Sequence, residues 1–173
     1  MTLPNLTPDC QNCDALCCVL LAFDRSRAFA FTKPACTPCG HLADDNLCRI
    51  HPDLESKGFK GCIRFDCHGA GQMITQTVFK DRSWRDDPTL MPTMTDAFRT
   101  LRRLHETAVL LDQAADLPLT PAQHSTRQTL RAALDLHRDW TETSLHALAE
   151  GPLFKSVTGF FTSLRGAVTV PRR

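Results

Sequence analysis

The distribution of cysteine constrains this chain more than any other feature of its sequence. All nine cysteines lie between Cys10 and Cys67, and none follows in the rest of the 173 residues. Four of them fall within the stretch DCQNCDALCC, which runs from Asp9 to Cys18. A segment so rich in thiols and turn-forming residues is typical of a chain that folds around bound metal.

Composition and patterning indicate a globular chain in a reducing compartment. Hydrophobic residues make up 42% of the chain and charged residues 23%, as in ordinary globular proteins. The longest apolar run, Ala15–Phe23, is shorter than the about 20 residues that span a bilayer, and no basic leader precedes it. We therefore expect a cytoplasmic protein with reduced thiols and no membrane association. The net charge of +1 argues against nucleic-acid binding.

The spacing of the first four cysteines predicts that three of them converge. On a helix or helical turn, at about 100° per residue, Cys10, Cys13 and Cys17 lie along one stripe. Cys18 points about 100° away, so we expect it to serve a second centre or the core. Adjacent cysteines are awkward ligands for one tetrahedral ion, which favours a cluster or two neighbouring sites.

The other cysteines occur in three short motifs beside histidines. The motifs are CTPCGHL with Cys36, Cys39 and His41, LCRIHP with Cys48 and His51, and GCIRFDCHG with Cys62, Cys67 and His68. Two Cys-x-x-Cys pairs and five further cysteines predict metal binding, but zinc, iron–sulfur clusters and copper(I) all suit thiolates. A disulfide framework and a thiol redox centre at CTPC are alternatives. The odd number of cysteines disfavours the first, and the lack of a strand-to-helix context disfavours the second.

The motifs CQNCDALCC, CGHL, CRIH and the later GC resemble the YkgJ-type cysteine-cluster family, which is described as zinc- or iron-chelating. The fuller pattern, with FTKPAC and DCHGAGQ, is similar to cysteine-rich regions that precede pentapeptide repeats in some bacterial proteins. The resemblance covers roughly half of the chain, from Asp9 to Trp84. No pentapeptide repeat occurs in the sequence, so the resemblance implies no function of that repeat.

The resemblance implies metal ligands and a cofactor. Eight cysteines match the ligand positions: Cys10, Cys13, Cys17, Cys18, Cys39, Cys48, Cys62 and Cys67. Cys36 is a weaker candidate, because the closer relatives tend to have Gly at this position. His51 stands where the general family has Tyr, which makes it a further, less certain candidate ligand. The spacing between Cys13 and Cys17 is one residue longer than the family pattern, and the Arg-Pro before the last cysteine is absent. The implied cofactor is an iron–sulfur cluster, slightly favoured over Zn²⁺.

The sequence predicts a mainly α fold in two parts. Residues 1–85 form an irregular, cysteine-rich metal-binding module, and residues 86–173 form a helical region. Within that region we expect a helical hairpin over about 95–150, with helices capped by Thr95 and Thr120 and a stop at Gly151. A third, amphipathic helix follows at about 153–166. Its apolar face comprises Leu153, Val157, Phe160, Phe161, Leu164 and Val168.

Together these features predict a small cytoplasmic metal-binding protein. The alternatives are a zinc-stabilised module that binds a protein partner through the helical region, and a redox enzyme that acts through the cluster or a thiol. The spacing of Ser, His, Asp and Glu indicates no catalytic residue. For the third helix, packing on the hairpin is the first expectation, and docking of a partner or binding to an anionic membrane surface are the alternatives.

Overall fold

The computed structural model describes residues 5–136 and 138–165, and it is mainly α. Helices in chain order are α1 Leu16–Leu20, α2 Lys60–Arg64, α3 Ala70–Met73, α4 Met91–Gln113, α5 Pro121–Ala133, α6 Glu142–Glu150 and α7 Leu153–Ser163. A π-helical turn, Ile74–Val78, follows α3. Short 3₁₀ turns occur at Cys10–Asn12, His51–Asp53, Pro88–Leu90 and Ala114–Asp116. The described ranges contain two isolated β-bridges, Phe23 with Lys33 and Leu42 with Cys48. The predicted mainly α fold is confirmed.

Helix α4 is the central element of the core. Its apolar positions recur at steps of three and four residues, as the sequence predicts, and Phe98, Leu101, Leu104, Ala108 and Leu111 are fully buried. The predicted start at Thr95 is wrong, because α4 begins at Met91. Thr95 lies inside the helix, where its hydroxyl donates to the Met91 carbonyl at 2.6 Å instead of capping.

The predicted second helix of the hairpin is two helices. Thr120 and Gln123 form the expected capping box at the start of α5, but α5 ends at Ala133. The next apolar side chains, Leu134, Leu136 and Trp140, are all buried, so the chain leaves the helix to direct them into the core. Thr141 then caps α6 through its own capping box with Ser144. Helix α6 stops at Glu150 before Gly151, as expected.

Helix α7 packs against the rest of the helical region. Phe154, Val157, Phe160 and Leu164 are buried, and the Arg103 guanidinium lies 4.2 Å from the centroid of the Phe154 ring. Phe161 and Leu153, which the sequence places on the same face, are half-buried. Val168 lies outside the described residues, and the described helix ends at Ser163.

The buried core is continuous across the predicted boundary at residue 85. It joins Leu16, Val19, Leu20, Ile74 and Phe79 of the cysteine-rich part to α4 and the later helices. The segment near the boundary is fastened as well, because the Trp84 indole donates to the Asp14 carbonyl at 2.7 Å. The division into a module of residues 1–85 and a helical region of residues 86–173 stays a prediction.

None of the helices in the described ranges is long and apolar enough to cross a lipid bilayer.

Candidate metal centre

The first cysteine-rich segment turns twice instead of forming one helix. Cys10 begins a 3₁₀ turn, and Cys13 is extended with φ −132° and ψ 139°. Ala15 then takes the left-handed conformation, with φ 55°, immediately before α1. The assumption of a single helical stripe is therefore wrong. Cys10, Cys13 and Cys17 nevertheless line one cavity, while their convergence on a single metal stays a prediction.

Four cysteines line that cavity, and we call them the first cysteine set: Cys10, Cys13, Cys17 and Cys67. The cavity has a volume of about 20 Å³, and Asp9, Gly71, Gln72 and Phe98 complete its lining. A volume of roughly 10–15 Å³ on this measure is enough for one water molecule. The space between the thiols therefore matches one guest of atomic size.

Gly71 allows the thiols of the first cysteine set to approach α3. A Cβ atom at this position would lie 2.7 Å from Cys13 Sγ and 3.9 Å from Cys67 Sγ. The first of these distances is well inside van der Waals contact, so any side chain here would displace the Cys13 thiol. The adjacent Gln72 holds the loop before Cys10 in place. Its Oε1 accepts from Asp9 N–H at 3.2 Å, and its Nε2 donates to Thr7 O at 2.8 Å.

The backbone beside Cys67 is held by α4. His105 is fully buried, and its Nδ1 lies 2.6 Å from the His68 carbonyl oxygen, so this nitrogen carries the proton and donates. Burial lowers the pKa of His105, which keeps the imidazole neutral. Arg102 Nε donates to the Asp66 carbonyl at 3.0 Å on the other side of Cys67. Two α4 side chains thus fix the position of this thiol.

The remaining four predicted cysteine ligands do not line this cavity, and we call them the second cysteine set: Cys18, Cys39, Cys48 and Cys62. Burial, together with the nearby Cys18, Cys39 and Cys48, raises the pKa of Cys62 to about 11. Backbone contacts join the segments that carry these thiols, because Cys39 N–H donates to the Cys18 carbonyl at 3.0 Å. Cys48 pairs with Leu42 in a β-bridge.

The adjacent residues Cys17 and Cys18 belong to different sets. Their sulfur atoms are 3.9 Å apart. The contact between the two sulfur atoms raises the pKa of Cys17 and lowers that of Cys18. The pKa of Cys10 is raised first by burial and then by neighbours that include Cys18 and Cys48 as well as Cys67. The two sets therefore adjoin.

Burial favours the protonated form of the Cys13 thiol in the absence of metal. Burial raises the pKa of Cys13 to about 11, and Cys67 and Cys10 act in the same direction. Hydrogen bonds from the Leu16 backbone N–H and the Thr75 hydroxyl oppose this shift without cancelling it. A metal ion that bound here would have to displace protons, because the thiolate is the ligand form.

The weaker ligand candidates lie in different surroundings. Cys36 has a positive φ of 52°, and its sulfur is 3.4 Å from the Thr95 hydroxyl of α4. His51 is exposed in a 3₁₀ turn. The His41 ring packs against Phe31 and Phe59, at centroid distances of 5.7 Å and 5.2 Å.

The described side chains are not arranged as a finished coordination sphere. Within 5–136 and 138–165, no three Cys, His, Asp or Glu side chains are grouped so that they could hold a metal ion as placed. The donor chemistry fits a soft metal, since the first cysteine set surrounds an atom-sized cavity with sulfur. The thiols would need to deprotonate and turn inward to bind.

Two residues beside the cysteines were not recognised in the sequence. Gly71 lies in HGAGQ, a stretch expected to be a turn, and no pattern connects it to Cys13, which is far away along the chain. Lys33 lies in FTKPAC, where a lysine is unremarkable in sequence, yet its side chain is buried. A lysine between Thr32 and Pro34 gives almost no indication in the sequence that its side chain is buried.

The fold and site define a mainly helical chain with two adjoining cysteine sets. Comparison with family models gives no match, and no solved structure matches. A similar curated protein is YybG of Bacillus subtilis (strain 168), which is described as uncharacterized. The two are 39% identical over 125 residues, which is 72% of this chain and 45% of YybG. The chain thus spans less than half the length of this relative.

Proposed function

We propose that this protein binds metal through two adjoining sets of four cysteine thiolates. The observation that carries the proposal is the sorting of the eight predicted ligands into the first and second cysteine sets, with adjacent Cys17 and Cys18 divided between them. Four thiolates complete a tetrahedral metal site. The proposal agrees with the resemblance to the YkgJ-type cysteine-cluster family.

The size of the first site favours a single ion over a cluster. A cavity of about 20 Å³ has room for one atom, whereas an iron–sulfur cluster contains several metal and sulfide atoms. Zinc, which prefers four-coordinate tetrahedral sites in proteins, therefore fits the first cysteine set best. The iron–sulfur cluster implied by the resemblance is the second candidate.

Bound metal in this position would stabilise the fold. The ligand-bearing segments are short turns and helices, and the described parts before residue 85 contain no regular sheet to hold them together. A metal that joins Cys10 and Cys13 to Cys67 would tie the first segment to α3 and α4. Binding energy at such a site becomes folding energy, because the unfolded chain has no preformed site.

Metal analysis of the full chain, purified without oxygen, tests the proposal. We expect about two zinc ions per chain and a colourless protein, since each four-thiolate set binds one ion. Cys13→Ser and Cys62→Ser should each lose about one ion, because a hydroxyl is a poor ligand for soft metals. Cys36→Ser is the matched control and should keep both.

Three results would separate the alternatives. A brown protein that contains iron and sulfide would replace zinc by iron–sulfur clusters at the same thiolates. Equal metal loss in the Cys13, Cys62 and Cys36 variants would contradict the two sets. A metal-free wild-type protein that stays folded and binds no added zinc would overturn the function itself.

A further inference from the structure

Lys33 is a buried ammonium group beside the cysteine sets. Its relative exposure is 3%, and its Nζ donates to the carbonyl oxygens of Val19 at 2.9 Å, Pro34 at 3.0 Å and Thr37 at 2.8 Å. These contacts use the three N–H donors of the ammonium group. The hydrogen-bonding capacity of Lys33 is thereby filled, but carbonyl oxygens do not neutralise its charge.

A carboxylate counter-ion is absent from the described surroundings of Lys33. In the described ranges, none of the ion pairs includes Lys33. Lysine is almost never fully buried without a partner, because an unpaired charge is costly to remove from water. Besides the carbonyl oxygens, the Phe23 ring lies near this group, with its centroid 5.7 Å from Nζ. A nearby negative group would compensate the charge more fully.

The groups near Lys33 that can carry a negative charge are cysteine thiols. Burial lowers the pKa of Lys33, and Cys39, Cys18, Cys36 and Cys17, in that order, act against this shift. Two of the carbonyls that hold Nζ come from residues next to these thiols, since Val19 follows Cys18 and Thr37 follows Cys36. The cage is thus built from the same short segments that carry the second cysteine set.

We propose that Lys33 is the built-in counter-cation of the second cysteine set, and this inference rests on the proposed function. A divalent ion held by four thiolates carries a net charge of about −2. The fixed ammonium of Lys33 offsets part of that charge, and the thiolates in turn compensate the buried lysine. No atom is transferred, and the effect is electrostatic and positional.

The first cysteine set is less affected by Lys33. In the described part of the chain, Cys17 is the one member of this set among the cysteines that act on Lys33, and it acts least of the four. The charges that act on Cys10 come from Asp9 and other cysteines. The two sets should therefore differ in their tolerance of a fully deprotonated, metal-bound state. Loss of Lys33 should weaken the second site far more than the first.

Zinc binding by the full chain in two backgrounds tests the inference. Cys13→Ser leaves the second cysteine set intact, and Cys62→Ser leaves the first set intact. In the Cys13→Ser background we expect Lys33→Met to weaken zinc binding about 10–100-fold, the usual effect of losing a group that supports metal ligands. In the Cys62→Ser background the zinc affinity should change by no more than about threefold, as expected when a charge outside the site is removed. Competition with a chromophoric zinc chelator gives both affinities.

Lys33→Gln separates charge from hydrogen bonding. Gln keeps N–H donors for the carbonyl cage but carries no charge, so it should weaken the second site as much as Lys33→Met does. Near wild-type affinity in Lys33→Gln, or equal weakening in both backgrounds, would show that Lys33 merely clamps the backbone and would overturn the inference. Failure of the unsubstituted protein to bind zinc would instead refute the proposed function.

Discussion

At the scale of single residues, the absence of a side chain at Gly71 is the most sensitive feature of the first cysteine set. We expect Gly71→Ala to lower metal content by about one ion per chain, because its methyl group would occupy the space of the Cys13 sulfur. Elemental analysis of the purified variant measures this loss.

The matched control is Gly159→Ala. A Cβ at Gly159 has no neighbouring atom within 4 Å, and the residue is exposed on α7. This variant should keep all its metal and gain up to about 1 kcal/mol of stability from better helix propensity. Retention of full metal content by Gly71→Ala would mean that Cys13 is not a ligand.

The residues also differ in how far the sequence predicts them. The predicted separation of Cys18 from Cys17 rests on helical geometry, and both residues do lie in the helix α1. The roles of Gly71 and Lys33 depend on where two turns place distant segments. The left-handed Ala15 is one such turn, and nothing in the short motif DAL requires it.

At the scale of elements, periodicity predicts α4 and α7 because each has an apolar stripe, and the Thr120 cap predicts the start of α5. Periodicity fails at the break between α5 and α6, where the whole stretch from Thr120 to Glu150 has helix-forming composition. The decisive factor is tertiary: Leu134, Leu136 and Trp140 are buried in positions that a continuous helix would not reach. Long-range burial of this kind cannot be inferred from local sequence.

Helix α7 offers a test of packing at this scale. Phe160 is 5% exposed, whereas its neighbour Phe161, with a ring centroid 5.4 Å away, is only half-buried. We expect Phe160→Ala to lower the free energy of unfolding by about 3–5 kcal/mol, the usual cost of removing a core phenylalanine. Urea unfolding followed by circular dichroism provides the measurement.

Phe161→Ala is the comparison, and it should cost clearly less. If both variants unfold like the wild type, α7 is not part of the core, and docking of a protein partner becomes the better explanation for its apolar face. A larger loss for Phe161→Ala would mean that the two aromatic rings have exchanged roles.

At the scale of the whole molecule, the thiols make the stability of the metal-free protein depend on alkaline pH. The pKa of Cys13 is raised from 9.0 to about 11 in the folded chain, so the unfolded chain loses this proton at lower pH. Stability from this group is complete below pH 9 and is lost as pH rises toward about 11. The free energy of unfolding falls by at most about 1.4 kcal/mol per pH unit, because one proton is involved.

Urea unfolding of reduced, metal-free protein between pH 8 and about pH 11 tests this dependence. Cys62, whose pKa is also raised to about 11, acts in the same direction but is more exposed. Metal-free Cys13→Ser should show a shallower decline than the wild type. Identical slopes for the two proteins would contradict the burial of the Cys13 thiol.

The division of Cys17 and Cys18 between two sites also bears on how such a chain can evolve. Loops between the ligands, such as the one from Leu21 to Cys39, can change length, since exposed loops tolerate insertions. A residue inserted between Cys17 and Cys18 would instead rotate one of them by about a further 100° relative to the other. Whichever of the two thiols is displaced, one of the two proposed sites would lose a ligand. If the proposed metal binding is correct, the spacing of these two residues should be the part of the sequence that changes least in length among related chains.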